Sequence, residues 1–125
     1  DTFFTESLAK IYIKQRRYEK ANGYLERAVL LSSDPMLYYV MAKNEQCLGE
    51  YRQAEKHLLH AIDILPERIY PYYLLMNLYT EPSYFQPAKL KMAIDSVLTK
   101  KPKVESSAIK EMKEKARSML NNTSI

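Results

Sequence analysis

Apolar residues recur every three or four positions along this chain of 125 residues. No stretch of useful length alternates apolar and polar residues as a half-buried strand does. The spacing predicts helices throughout. In the first half we expect helices at about 4–14, 18–31, 35–48 and 51–65. Asp34 is placed to cap the third of these, Pro35 to begin it, and Gly49 to end it in a left-handed conformation. The first half is therefore predicted to contain two antiparallel helix pairs.

The second half follows the same pattern less regularly. A third pair is predicted at about 71–81 and 87–99, with a longer turn between its helices. A basic linker, 100–105, then leads to a last helix at about 107–120, for which Ser106 or Ser107 is the expected cap. The apolar stripe predicted for this last helix consists of Ile109, Met112, Ala116, Met119 and Leu120.

An internal repeat is the strongest pattern in the sequence. The residues that recur 33 positions further on are Ala9, Tyr18, Ala21, Leu25 and Ala28, which return as Ala42, Tyr51, Ala54, Leu58 and Ala61. Small residues at fixed intervals allow helices to pack closely, and the interval is the length of one helix–turn–helix unit. In the third pair, Ala88 lies 34 positions after Ala54, and Asp95 takes the place of Ala61. The packing around Asp95 is therefore expected to differ.

A period near 34, with a small, a large apolar and a small residue in the second helix, resembles the tetratricopeptide (TPR) repeat. The resemblance implies an all-α domain, a right-handed superhelix of three helix pairs plus a C-terminal capping helix. The expected units are about 2–34, 35–67 and 68–101, followed by the capping helix at about 106–120. Such units stack to bury their apolar faces and present a groove rather than a reaction centre.

The stretch from Leu65 onward carries two further motifs. The pattern P…R-x-Y-P-x-Y-L-L…L-Y is matched by Pro66, Arg68, Tyr70, Pro71, Tyr73, Leu74, Leu75, Leu78 and Tyr79. The pattern K-V-x-S…E is matched by Lys103, Val104, Glu105, Ser106 and Glu111. With these motifs the stretch resembles the carboxy-terminal tail of bacterial membrane proteins of the O-antigen ligase and polysaccharide polymerase family.

That second resemblance implies that the chain is the soluble tail of a membrane-embedded protein of the bacterial cell envelope. The abrupt start at Asp1, inside a helical pattern, fits this expectation. The tail is expected on the periplasmic side, with the cytoplasm as the alternative, holding a partner protein or positioning substrate. The family's catalytic machinery lies in membrane helices and their loops, so no catalytic residue carries over. The competing interpretation is a free-standing TPR adaptor that binds a peptide or a partner protein.

A ligand-binding row is predicted on the first helices of the units, which line the concave face of a TPR stack. Lys10, Lys43 and Asn77 fall at equivalent positions, and Tyr39 and Tyr73 accompany them. Tyrosine offers rigid apolar area with a polar tip, which suits an extended peptide, a partner helix or an acidic glycan segment. The sequence leaves the choice among these ligands open, and the row is also compatible with a merely solvated surface.

The net charge of +4 is unevenly distributed. Residues 1–85 hold 10 Lys or Arg against 11 Asp or Glu, whereas residues 86–125 hold 9 against 4. Lysines alternate with glutamates in the last helix, which favours a solvated face. The sharper hypothesis is that Lys100, Lys101 and Lys103 contact phosphates of a lipid or a glycan. Nothing in the sequence resembles a nucleic-acid-binding module.

Three residues offer an alternative from another class of function, a hydrolase or transferase. Cys47 lacks a histidine partner nearby in the sequence and is expected to be a small buried residue rather than a nucleophile. His57 and His60 lie three residues apart on one helix, but a stable metal site needs three or four converging ligands. We therefore expect a non-catalytic module without metal or cofactor.

Overall fold

The computed structural model describes residues 2–122, and this range contains seven α-helices, one short 3₁₀ turn at Pro82–Tyr84 and no strand. The helices are α1 (Thr2–Lys14), α2 (Tyr18–Ala28), α3 (Met36–Cys47), α4 (Tyr51–Ile64), α5 (Tyr70–Tyr79), α6 (Pro87–Thr99) and α7 (Ser107–Asn122). Each lies within three residues of its predicted bounds. The prediction of an all-α fold is confirmed.

The chain folds as two compact units, one up to Ile64 and one from Leu65 onward. In the first unit α1 packs on α2, α2 on α3, and α3 on α4. In the second unit α5 packs on α6, and α7 packs mainly on α6 and touches α5. A single stacked domain, and the hand of its superhelix, stay predictions from the sequence.

Small residues allow the helices of the first unit to approach closely. Ala21, Leu25 and Ala28 of α2 form one apolar cluster with Leu37 and Met41 of α3. The repeated positions of α4, which are Ala54, Leu58 and Ala61, are buried as well. An alanine side chain ends at Cβ, so its helix can lie close to its neighbour without a cavity or a clash. The repeat positions in α2 and α4 are thus packing positions.

The ends of α3 follow from local chemistry. The Asp34 carboxylate accepts a hydrogen bond from the Met36 N–H at 3.0 Å, which is the predicted capping contact, although α3 begins at Met36 with Pro35 as its N-cap residue. Gly49 has a φ of +78°, the left-handed conformation predicted for it. The Glu50 N–H then donates to the Glu45 carbonyl at 2.8 Å, which satisfies a carbonyl of the last turn.

The register predicted for the third pair is wrong. Ala88 and Asp95 are both exposed. The α6 residues that take the small, large and small positions of α4 are the buried Leu90, Ile94 and Val97. They lie 36 rather than 34 positions further on, because seven residues connect α5 to α6 whereas three connect the helices of each earlier pair.

This difference in register gives a direct test with one substitution at two sites. Ala54→Trp should lower the free energy of unfolding by about 1–3 kcal/mol or more, because the indole has no space between packed helices. Ala88→Trp should change it by no more than about 0.5 kcal/mol, because that side chain faces solvent. Urea denaturation measures both variants. Equal losses would show that the register with Leu90, rather than Ala88, at the packing position is incorrect.

Candidate functional site

The residues of the predicted row belong to two different units. In the first unit Lys10 on α1 and Lys43 on α3 are exposed at equivalent repeat positions. Tyr39 is only 3% exposed, so the ring that the sequence assigned to the groove lies inside the protein. Its equivalent one repeat earlier is Glu6, which is half-buried, so the repeat frame alone could not reveal this burial.

In the second unit Tyr70, Tyr73 and Asn77 form a row on α5, with the helical spacing of three and four residues. All three are half-buried. The rings of Tyr70 and Tyr73 are stacked, with centroids 6.4 Å apart and planes inclined by 23°. Lys115 of α7 places its Nζ 5.5 Å from the Tyr73 ring centroid. The row therefore combines an aromatic surface with a cation beside it.

Asn77 adds an unusual feature to this row. Its side-chain Oδ1 is buried and accepts no hydrogen bond from any of the residues 2–122. Leaving a buried acceptor unpaired costs about 1–3 kcal/mol, so nearly all such groups in proteins have a partner. Because Oδ1 is closed to solvent, a donor from outside the chain reaches it only after the Asn77 side chain turns or its neighbours move. We call the surface formed by Tyr70, Tyr73, Asn77 and Lys115 the α5–α7 face.

Lys113 ties α7 to the end of α6. Its Nζ donates hydrogen bonds to the carbonyls of Val97, Leu98 and Lys100 at 3.0, 3.2 and 3.0 Å. The carbonyls at the end of α6 lack partners within that helix, and a cation at a helix C-terminus is also favoured by the helix dipole. This contact ties the helix that carries Lys115 to the end of α6.

The basic linker does not present its three predicted lysines in the same way. Lys100 is half-buried, and its Nζ lies 5.0 Å from the centroid of the Tyr72 ring. Lys101 and Lys103 are exposed. Lys100 thus contributes to internal packing. A contact with phosphates stays a prediction, and the exposed Lys101 and Lys103 are better placed for it than Lys100.

The histidines of the alternative hypothesis pack around one ring. Tyr38 lies with its centroid 5.8 Å from that of His57 and 4.7 Å from that of His60. His57 Nδ1 is 2.7 Å from the carboxylate of the buried Glu45, which joins α4 to α3. Residues 2–122 contain no cluster of three or more His, Cys, Asp or Glu side chains that could hold a metal.

Cys47 is exposed, so the expectation that it is buried was wrong. The repeat contained the signal for this result. Cys47 lies 33 positions after Lys14, and Lys14 is exposed too.

A buried polar contact between α2 and α3 was not predicted from the sequence. Asn44 Nδ2 donates to Asn22 Oδ1 at 2.8 Å, and Asn22 Nδ2 donates to the Met41 carbonyl at 3.2 Å. Both asparagines are buried. The available signal was that both asparagines lie among the buried positions of amphipathic helices. Because paired amides must meet, they fix the position of α3 along α2.

Comparison with known proteins gives a match in fold. No protein-family model matches the chain, and no curated protein sequence matches it. Among solved structures, the Sgt2 TPR domain from Aspergillus fumigatus matches with a TM-score of 0.73 and 15% sequence identity. The match covers 99% of this chain and 83% of the Aspergillus chain. The chain therefore has a TPR-like all-α fold.

The role of Lys113 can be tested against a neighbouring lysine. Lys113→Met should lower the free energy of unfolding by about 1–2 kcal/mol, because the carbonyls at the end of α6 lose a charged donor. Lys110→Met removes an exposed lysine of the same helix and should have little effect. Urea denaturation of the two variants is the measurement. If Lys113→Met lowers the free energy of unfolding no more than Lys110→Met does, Lys113 does not stabilise the end of α6.

Proposed function

We propose that this chain is a non-catalytic binding module that holds an extended segment of a partner protein on the α5–α7 face. The observation that carries the proposal is the buried Asn77 Oδ1, which needs a donor that residues 2–122 do not provide. An extended peptide has free main-chain N–H groups, and one of them would pair with Oδ1 once the half-buried Asn77 side chain turns toward the peptide. A TPR-like fold supports this assignment, since helical repeats offer extended surfaces for binding.

The other members of the face suggest the chemistry of the segment. The stacked rings of Tyr70 and Tyr73 favour an apolar or aromatic side chain, because they offer flat apolar area at small entropic cost. Lys115 favours a carboxylate next to that side chain. The expected ligand is therefore a peptide with an apolar residue flanked by Asp or Glu. Lys10 and Lys43 stay proposed contacts of the first unit, to be tested separately.

The test begins with peptides selected on the whole chain from a display library, whose affinities are then measured by calorimetry. Asn77→Leu should weaken binding about fivefold to tenfold, because the peptide N–H loses its acceptor. The same change should leave the stability of the free chain unaltered or raise it by up to about 1 kcal/mol, because an unpaired buried acceptor is removed. Opposite effects on affinity and stability distinguish a ligand contact from a structural one.

Two further variants complete this experiment. Tyr73→Ala should weaken binding about tenfold or more, as expected for an aromatic residue at the centre of an interface. Asn121→Leu is the control: it makes the same substitution at an exposed asparagine of α7 and should leave the affinity unchanged. Peptides that bind Asn77→Leu and Tyr73→Ala as tightly as the unaltered chain would rule out the α5–α7 face.

We also propose that this module is the soluble tail of a bacterial membrane protein that ligates or polymerises surface polysaccharide. The motifs from Pro66 to Glu111 support this origin, and they lie within the second unit, which begins at Leu65. No helix within residues 2–122 is long and apolar enough to cross a membrane. The tail would lie on the periplasmic side, where Lys101 and Lys103 could meet glycan or glycolipid phosphates.

The genomic sequence upstream of Asp1 tests this origin. The proposal predicts about ten apolar segments of about 20 residues each, the length that crosses a bilayer as a helix. Further soluble helix pairs in their place would instead support a free-standing adaptor. This outcome would leave the peptide-binding proposal for the α5–α7 face unaffected.

A further inference from the structure

The charges of the first unit are segregated along the chain. Residues 10–27, which cover the end of α1, the turn and nearly all of α2, hold six Lys or Arg and two Glu. The rest of residues 2–64 hold three Lys or Arg and six Asp or Glu. An anion that approaches the first unit is therefore attracted to α1 and α2 rather than to α3 and α4.

Helix α2 carries a shallow groove between two of these cations. This α2 groove has a volume of about 220 Å³ and is lined by Lys20, Gly23, Tyr24 and Arg27. The four residues have the spacing of one helix face, so a cation lies about one turn to either side of Gly23. Pockets that hold drug-sized ligands measure about 300–1,000 Å³, so the α2 groove fits one small group rather than a whole ligand.

The two cations lie beside aromatic rings. The Tyr12 and Tyr24 rings are stacked, with centroids 5.5 Å apart and planes inclined by 6°. The Arg27 guanidinium carbon lies 5.5 Å from the Tyr24 centroid, and Lys20 Nζ lies 5.0 Å from the Tyr12 centroid. Within residues 2–122 neither cation forms an ion pair with a carboxylate. A guanidinium that packs on a ring still presents the N–H donors at its edge to an anion.

Gly23 keeps the floor of the α2 groove open. It lies in the interior of α2, where glycine is less favourable than alanine. Its φ lies outside the left-handed region, and an added Cβ would meet no atom within 4 Å. Neither the backbone conformation nor the packing therefore requires glycine at this position. A side chain there would project into the space that Lys20 and Arg27 border.

The second helix pair uses the equivalent positions for contacts within the protein. The equivalents of the groove residues, 33 positions further on, are Gln53, Lys56, His57 and His60 of α4. His57 Nδ1 lies 2.7 Å from the Glu45 carboxylate, and His57 Nε2 lies 3.5 Å from Gln53 Nε2. His60 packs edge-on against Tyr38. A groove between two cations is therefore not required by the packing of the repeat.

We propose that the α2 groove binds a phosphomonoester group. Arg27 pairs with two phosphate oxygens through its planar N–H edge, and Lys20 supplies a point charge from the other side of Gly23. One cation suffices for a single carboxylate, whereas a dianionic phosphate uses both. The missing side chain of Gly23 lets the phosphate lie between them. This site belongs to the first unit and is independent of the peptide proposed for the α5–α7 face.

Solution NMR of the whole chain, titrated with inorganic phosphate, is the first test. We expect saturable shifts that are largest at the backbone amides of Lys20, Gly23 and Arg27. Added sodium chloride should weaken the binding, because the cations are exposed. Shifts that do not saturate, or that are equally large at the exposed Lys14 and Lys56, would show that phosphate only associates with surface charge.

A matched pair of arginine variants tests the cation. Arg27→Gln should weaken phosphate binding about fivefold or more, because the bidentate donor is lost. Arg52→Gln removes the same charge from an exposed position of α4 and should change the affinity by no more than about twofold. Equal effects of the two variants would contradict a site at the α2 groove.

Gly23→Leu tests the groove without altering any charge. It should weaken phosphate binding about tenfold or more, because the leucine side chain covers the floor between the two cations. The melting temperature should stay the same or rise, because leucine favours a helix more than glycine does. An unchanged phosphate affinity in this variant would overturn the proposal.

The phosphate can belong to a soluble ester or to a lipid headgroup, and two arms of the experiment separate these sources. Glycerol phosphate is titrated as the soluble ester, and phosphatidylcholine vesicles with and without phosphatidic acid test the headgroup by co-sedimentation. Binding in either arm that Gly23→Leu weakens and Arg52→Gln preserves supports the site and identifies the source. A glutamate-rich peptide that binds the α2 groove more tightly than both would overturn the proposal, because the ligand would then be an acidic protein segment.

Discussion

The structure depends on the close approach of helices at small residues. Ala21 and Ala54 are almost completely buried, and each lies one helical turn before a buried leucine, Leu25 or Leu58. An alanine itself removes little apolar area from water, so its contribution is mainly geometric. It allows larger side chains such as Met41 to fill the space between helices, and each of these adds about 1.5–3 kcal/mol on full burial. A large residue at an alanine position would separate the helices and lose that burial.

Polar contacts determine which helix surfaces meet. In the first unit Asn22 and Asn44 link α2 to α3, and Glu45 and His57 link α3 to α4. A buried polar group is costly when it is unpaired, so these contacts favour one alignment over its neighbours. Asn77 departs from this rule, because its buried Oδ1 has no partner among residues 2–122. That departure is the reason to assign binding to the α5–α7 face.

The sequence predicted what is local or periodic. Helix bounds, the Asp34 cap and the left-handed Gly49 depend on neighbouring residues, and the sequence contained the information for each. The register of α6 was missed although the longer turn was predicted, because Leu90 takes the place of a small residue and so departs from the alanine pattern. Burial of Tyr39 could not be foreseen either, since its repeat equivalent Glu6 gives no indication of it. The cation beside the predicted Tyr73 comes from α7, and only tertiary packing reveals such a contact.

The central claim is that the α5–α7 face binds an extended peptide through Asn77. Solution NMR of the whole chain, saturated with a peptide selected on it, tests this most directly. We expect the largest shifts at Tyr70, Tyr73, Asn77 and Lys115, with a marked change in the Asn77 side-chain amide signals as Oδ1 gains a donor. Large shifts confined to residues 3–64, with the Asn77 amide signals unmoved, would contradict it.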